Sequence, residues 1–301
     1  MALRITINLY SGQPNPSITL DEAESMELLA RLRPSARTGG VATPTHAMAV
    51  TLGYNGILIE QVGDSIDSAF PRIFRIVDGW IETSKGMRLL ADASVEDFLC
   101  SSAGPFRRSL LEPAIFRSLD SQRMARRIAK TTPAPSRTRA DTPGPIRCRC
   151  APPYEPTWWN DGISPNAKQQ KNNCYNYATN YRTDTFARPG VGSGKTYPFP
   201  TRCKDVRAAT IRDGLIEVPV SDINKCPAEG HLVALFISPM IDFHFYRKGR
   251  DGLWSHKPGI NPVTNLDQDG QPIGDPRTAS RGVYTEFCSL LLVMPGHIVL
   301  R

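Results

Sequence analysis

Three segments decide the fold of the C-terminal half: His231-Leu-Val-Ala-Leu-Phe-Ile, Ile241-Asp-Phe-His-Phe-Tyr-Arg and Leu253-Trp-Ser-His-Lys. The first is a continuous apolar run, which predicts a strand. In the second, His244 alternates with Phe243 and Phe245, so this strand has two unlike faces. Residues 248–252 predict a glycine-containing hairpin turn. We therefore expect His244 and His256 on one face of two adjacent strands.

A helix with a cysteine in its first turn is predicted upstream of these strands. Residues 172–180 read Asn-Asn-Cys-Tyr-Asn-Tyr-Ala-Thr-Asn, in which Asn172 or Asn173 can cap the helix that carries Cys174. Backbone N–H groups and the helix dipole at such a position favour the thiolate, which is the nucleophilic form. The sequence therefore predicts Cys174 as nucleophile, His244 as general base and His256 as the residue that orients the base.

The order cysteine, histidine, polar residue resembles the papain-like peptidases and amidases of the NlpC and CHAP superfamily. The segment 173–178 is similar to the CHAP nucleophile segment, and the step of 12 residues from His244 to His256 is similar to NlpC members whose third residue is histidine. The resemblance covers roughly residues 155–295. It implies a helix packed on a small antiparallel sheet and an acyl-enzyme mechanism on peptides or peptidoglycan-type glycopeptides, with transamidation as a related activity.

Further residues are predicted to bind substrate around this triad. Asn173 and Gln170 are candidates to assist the backbone N–H groups that hold an oxyanion. Tyr177, Trp254 and Lys257 are candidates to line a groove, together with the pair Trp158 and Trp159, although core packing is an equal alternative for the tryptophans.

Structural roles compete with each of these assignments. A cysteine near a helix start is more often a small buried residue, and a histidine on a strand is more often a hydrogen-bonded core residue. A binding or structural protein on a papain-like scaffold is therefore the alternative function, favoured if Cys174 and His244 are apart. Asn265 and Asp267 are the alternative orienting residues, and His231 and His297 are predicted to be structural.

The N-terminal half predicts a smaller domain without an obvious catalytic set. Residues 3–9 alternate as a strand, residues 11–16 form a turn cluster, and Asp21 with Glu24 makes a capping box before a helix over 21–32. Strands are predicted at 56–62, 73–77 and 80–83, and a second capped helix starts at residue 94. Its one histidine, His46, lies in a Pro/Thr-rich loop, so we expect recognition or packing here.

The formal net charge of +7 is concentrated between the two halves. Only Asp141 opposes the basic residues of this segment, which are Arg123, Arg126, Arg127, Lys130, Arg137, Arg139, Arg147 and Arg149. Proline, threonine and serine separate them, and such a composition favours an extended linker. Since no aromatic residues interleave with the arginines, nucleic acid is not the expected partner.

Six of the seven cysteines lie after residue 147. The spacing of Cys148, Cys150, Cys203 and Cys226 fits zinc poorly, so no metal is predicted, and up to three disulfides are possible if Cys174 stays free. No cofactor motif is found.

The 301 residues therefore predict an α+β protein with a domain over 1–125, a linker over 126–150 and a papain-like domain over 151–301. The sequence shows neither a signal peptide nor a membrane span. We expect no membrane partner, and a location that is either cytoplasmic or reached without a cleaved signal.

Overall fold

The computed structural model describes residues 1–32, 51–84, 86–89, 94–101, 104–108, 113–131 and 147–301. These residues form helices and antiparallel sheets, which confirms the α+β class. His46 and residues 132–146 of the predicted linker lie outside the described part of the chain.

The described N-terminal residues build one antiparallel sheet. Its strands are β1 (Ala2–Ile7), β2 (Ser17–Thr19), β3 (Ile57–Val62), β4 (Ile73–Val77), β5 (Trp80–Thr83) and β6 (Gly86–Leu89). The strand order is β2-β1-β3-β4-β5-β6, with Ile5 opposite both Ile18 and Ile59. Because alternate residues of β1 point into one apolar core, Leu3, Ile5 and Ile7 are fully buried.

Helices cover that core. They are α1 (Glu22–Arg31), α2 (Val95–Cys100), α3 (Pro105–Arg108) and α4 (Pro113–Thr131). Leu28, Leu99 and Leu119 pack into the same apolar cluster as the buried face of β1.

The predicted linker boundary needs a correction at its N-terminal end. Helix α4 continues to Thr131, so residues 126–131 are helical. Arg126 donates to the Asp78 carboxylate, and Arg123 and Arg127 donate to that of Asp97. The sequence pattern missed these partners because the acidic residues lie about 25 to 50 positions upstream.

The C-terminal residues build a second antiparallel sheet with its own helices. The elements are α5 (Pro156–Trp159), α6 (Cys174–Thr179), α7 (Cys203–Arg212), β7 (Ile216–Val218), β8 (His231–Ser238), β9 (Asp242–Lys248), β10 (Trp254–His256) and β11 (Glu286–Val293). The strand order is β10-β9-β8-β11-β7. In the β8–β9 ladder Phe236 pairs with His244. In the next ladder Tyr246 pairs with His256, as expected for a β9–β10 hairpin.

The two faces of this sheet bury different residues. Phe243 and Phe245 pack with Cys174 and Tyr175 of α6 and with Val206 of α7. The opposite face, which carries Tyr246, packs with Trp254, Tyr284 and Leu52 of the N-terminal half. The predicted alternation along β9 is thus confirmed.

Two disulfides join separated parts of the second unit. Cys148 bonds to Cys226 and Cys203 bonds to Cys288, while Cys100, Cys150 and Cys174 are free. Within the described ranges, no helix is long and apolar enough to span a membrane.

The capping box of α1 supports a stability prediction. Asp21 accepts from the Glu24 backbone N–H at 2.8 Å, and the Glu24 side chain accepts from the Asp21 N–H at 3.3 Å. Asp21→Ala should lower the free energy of unfolding by about 1 kcal/mol, because the helix loses its acceptor. Asp21→Asn keeps an acceptor and should lose less in the same urea titration; equal losses would contradict the capping role.

Candidate active site

Cys174 is the first residue of α6, and Asn173 caps this helix. The Asn173 Oδ1 accepts from the backbone N–H groups of Tyr175 and Asn176 at 3.0 and 3.1 Å. The Asn176 side chain returns the bond by accepting from the Asn173 N–H. The sequence prediction of a capped helix that begins with the cysteine is confirmed.

The thiol of Cys174 is fully buried against the strand that carries His244. Its Sγ lies 4.0 Å from the carbonyl oxygen of Phe243, in the peptide group that joins Phe243 to His244. Burial, reinforced by the negative charge of Asp242, raises the pKa of the thiol well above its usual value. The expected thiolate is therefore wrong for this conformation, because desolvation outweighs the field of a six-residue helix.

His244 and His256 form a buried pair on the opposite face of β9 and β10. The His244 Nε2 lies 2.9 Å from the His256 Nδ1, and the His256 Nε2 lies 3.1 Å from the carbonyl oxygen of Leu266. Both rings pack near Tyr246, and the His244 ring also lies beside Tyr284. The structure thus brings together the two histidines that the sequence placed on one face.

This hydrogen-bond chain fixes the tautomer of each ring. A carbonyl oxygen can only accept, so the His256 Nε2 carries the proton and its Nδ1 is an acceptor. The His244 Nε2–H must then donate to that Nδ1, which leaves the His244 Nδ1 unprotonated. That Nδ1 is buried and makes no hydrogen bond within the described part of the chain.

Burial also keeps both imidazoles neutral. It lowers the pKa of His244 well below the usual value, with a further contribution from His256, and it lowers the pKa of His256 to about 4. A neutral ring with a free nitrogen lone pair is the form that a general base needs.

The thiol and the base do not contact each other directly in this structure. No hydrogen bond joins Cys174 to His244, since the thiol packs with Phe243 and Phe245 while the His244 ring lies on the other face of β9. The expected nucleophile–base hydrogen bond is therefore absent here.

Asn173 and Gln170, the residues predicted to help hold an oxyanion, are placed differently in the structure. The Asn173 Nδ2 donates to the carbonyl oxygens of Gly12 and Ala187, at 3.0 and 2.8 Å. Gln170 lines a cavity of about 150 Å³ between the two sheets, next to Arg75 and Asn261.

The residues predicted to line a substrate groove are mostly buried in cores. Tyr177 lies under the Arg247 guanidinium and its hydroxyl lies 2.7 Å from the Ser255 Oγ. Trp254 is fully buried. The Lys257 Nζ donates to the carbonyl oxygens of Gln169, Gly259 and Asn261, and burial lowers its pKa to about 7. These three assignments need correction, because the cores of the folded chain enclose all three side chains.

The tryptophan pair divides between surface and core. Trp158 is 60% exposed beneath the Arg182 guanidinium, whereas Trp159 is buried and packs edge-on against Tyr177. Of the predicted groove residues, Trp158 therefore remains available to a ligand.

The other polar candidates have structural surroundings. The His231 ring donates to the carbonyl oxygen of Ala178 at 2.7 Å, and His297 is exposed. The Asp267 carboxylate accepts from the backbone N–H groups of Asp269, Gln271 and Ser280, which is a turn. Within the ranges described, no group of three or more histidine, cysteine or acidic residues could hold a metal ion.

Sequence reasoning missed one element of this region, the carboxylate of Asp242. It accepts from the backbone N–H groups of Ser11, Gly12 and Gln13 and from the Tyr284 hydroxyl. The contacts with residues 11–13 span 229 to 231 residues and the contact with Tyr284 spans 42, so no local pattern could reveal them.

These features define the chain as a disulfide-bonded α+β protein in which a buried thiol and a buried histidine pair lie beside one strand. It belongs to the same family as Insoluble matrix shell protein 1 of Ruditapes philippinarum. The two are 44% identical over 147 residues, which is 48% of this chain and 93% of that protein. No family model and no solved structure matches the chain.

Proposed function

We propose that the chain is a cysteine hydrolase of amide bonds and that this structure is its closed form. The observation that carries this proposal is the tautomer of His244. Leu266 and His256 together leave its Nδ1 as a buried, unprotonated nitrogen without a hydrogen-bond donor. An unprotonated imidazole nitrogen is the group that could accept the thiol proton, provided that the two side chains come into contact and both become less buried.

The reaction uses Cys174 as nucleophile and His244 as acid and base. The His244 Nδ1 removes the thiol proton, and the sulfur attacks the amide carbon while the carbonyl π electrons move to oxygen. When the tetrahedral intermediate collapses, the C–N bond breaks and the imidazolium protonates the leaving amine. Water, deprotonated by the same nitrogen, then hydrolyses the thioester and regenerates the thiol.

The chemistry needs a thiol–imidazole contact that this structure does not contain. The Cys174 thiol and the His244 ring lie on opposite faces of β9, so the contact requires a rearrangement of the strand and not only a shorter hydrogen bond. The proposal therefore requires Cys174 and His244 to approach each other in an open form. A peptide or glycopeptide is the proposed substrate class.

Peptide hydrolysis tests this function. A pool of short peptides and a pool of peptidoglycan fragments, each incubated with the full chain, should yield new amine termini detected by mass spectrometry. Cys174→Ala should abolish cleavage, and His244→Gln should slow it by at least about 10³-fold, since general-base and nucleophile activation are lost together.

A control variant separates chemistry from folding. His297→Gln changes an exposed histidine and should cleave like the wild type. Products that form equally with Cys174→Ala would contradict the assignment of the nucleophile.

A matrix component without turnover is the second candidate function. It is supported by the name of the shell relative, by the fully buried thiol with its raised pKa, and by two disulfides, which are typical of oxidising compartments. Absence of cleavage by the wild type, with no thioester adduct on Cys174, would favour this candidate.

A further inference from the structure

A turn from the N-terminal half lies directly against the proposed active site. The backbone N–H groups of Ser11, Gly12 and Gln13 donate to the Asp242 carboxylate at 2.7, 3.2 and 3.0 Å. Asp242 begins β9 and lies on the same face as His244, two residues further on. The turn of residues 11–13 is therefore tied to the strand that carries the base.

The same turn contacts the residue next to the nucleophile. The Gly12 carbonyl oxygen accepts from the Asn173 Nδ2 at 3.0 Å, and Asn173 directly precedes Cys174. A Cβ on Gly12 would lie 2.5 Å from the Phe243 ring and 2.6 Å from the Phe243 carbonyl oxygen. That oxygen is the atom against which the Cys174 thiol rests.

Side chains hold the turn in place from both ends. The Asn15 Oδ1 accepts from the backbone N–H groups of Leu9 and Tyr10, at 2.8 and 2.7 Å. The Gln13 Nε2 donates to the Thr201 Oγ1 and to the Ile241 carbonyl oxygen, at 2.7 and 2.6 Å. The turn is thus rigid in itself and anchored to the second sheet.

We propose that residues 11–13 are a built-in inhibitor that occupies the approach to Cys174, with the Gly12 carbonyl on the amide donor that a substrate carbonyl would use. This inference rests on the proposed hydrolase function. It offers a reason for the full burial of the thiol at the start of a helix. A peptide substrate must displace the turn to reach the thiol.

Alkylation of Cys174 by iodoacetamide, followed peptide by peptide, tests whether the turn controls access. Gly12→Ala places a methyl group against Phe243, and Gln13→Ala removes two anchoring hydrogen bonds without adding volume. Both variants should label Cys174 at least about tenfold faster than the wild type, because displacement of the turn exposes the thiol.

Matched controls come from the chain itself. Gly274→Ala adds a methyl group at a glycine whose Cβ would meet nothing within 4 Å, so labelling of Cys174 should not change. Cys100 is a free thiol buried in the N-terminal core, and its labelling reports loss of that core. Faster labelling of Cys174 with Cys100 still protected is the expected result.

The two proposals fail in distinguishable ways. The double variant Gly12→Ala with His244→Gln should still label Cys174 faster than His244→Gln alone if the turn covers the thiol, whatever the chemistry. Faster labelling of Cys174 without any peptide cleavage would contradict the hydrolase function but would still support a turn that covers the thiol. Unchanged Cys174 labelling in Gln13→Ala, with wild-type near-ultraviolet circular dichroism, would overturn the inhibitor.

Discussion

Replacing both Cys203 and Cys288 by serine should lower the free energy of unfolding by about 4 kcal/mol. The bond joins the start of α7 to β11 across a sequence separation of 85 residues, so its loss releases a long loop in the unfolded chain. The loss is measured by urea denaturation of the oxidised wild type and of the double variant, both at pH 7.

A free cysteine provides the control for this prediction. Cys150 is exposed and forms no disulfide, so Cys150→Ser should change the free energy of unfolding by less than about 0.5 kcal/mol. A double variant as stable as the wild type would mean that the disulfide does not constrain the unfolded chain.

Acid should destabilise the protein between pH 7 and pH 5, and His231 should account for about 2 kcal/mol of the loss. Burial lowers the pKa of His231 to about 4, assisted by the charge of Arg247, from an ordinary value of 6.5. As the pH falls below 6.5, His231 becomes protonated in the unfolded chain but stays neutral in the folded chain. The free energy of unfolding therefore decreases until about pH 4, where the folded chain also binds the proton. His256, with its pKa also lowered to about 4, adds a loss of the same sign.

A conservative variant isolates the contribution of His231. His231→Gln keeps an N–H donor for the Ala178 carbonyl but cannot titrate, so the difference in stability between pH 7 and pH 5 should shrink by about 2 kcal/mol. Asp242, whose pKa burial raises, acts in the opposite direction and is present in both proteins. A difference in His231→Gln equal to that of the wild type would refute the assignment.

Local patterns predicted most of the elements around the site. The alternation of β9, the hairpin to β10 and the Asn173 cap all depend on residues within a few positions of one another. Such features are set by side-chain period and backbone capping, which a single sequence displays directly.

Long-range burial explains why the predicted chemistry differs from the observed surroundings. The sequence indicates that Cys174 starts a helix, but not that it packs with Phe243 and Phe245 in a buried core. Lys257 and Trp254 were expected at a groove because their types often bind ligands, yet tertiary packing encloses both. The donor and acceptor roles of the two histidines likewise depend on the Leu266 carbonyl, which no spacing rule identifies.

The close contact between Gly12 and Phe243 also constrains how this family can diverge. Every substitution at position 12 adds a Cβ that would overlap the Phe243 ring and carbonyl oxygen. Only glycine is therefore compatible with the turn in this position. Gly12, Phe243 and Asp242 should therefore be inherited as a unit. A homologue without the turn of residues 11–13 would be free of this constraint and should vary at the positions equivalent to Phe243 and Asp242.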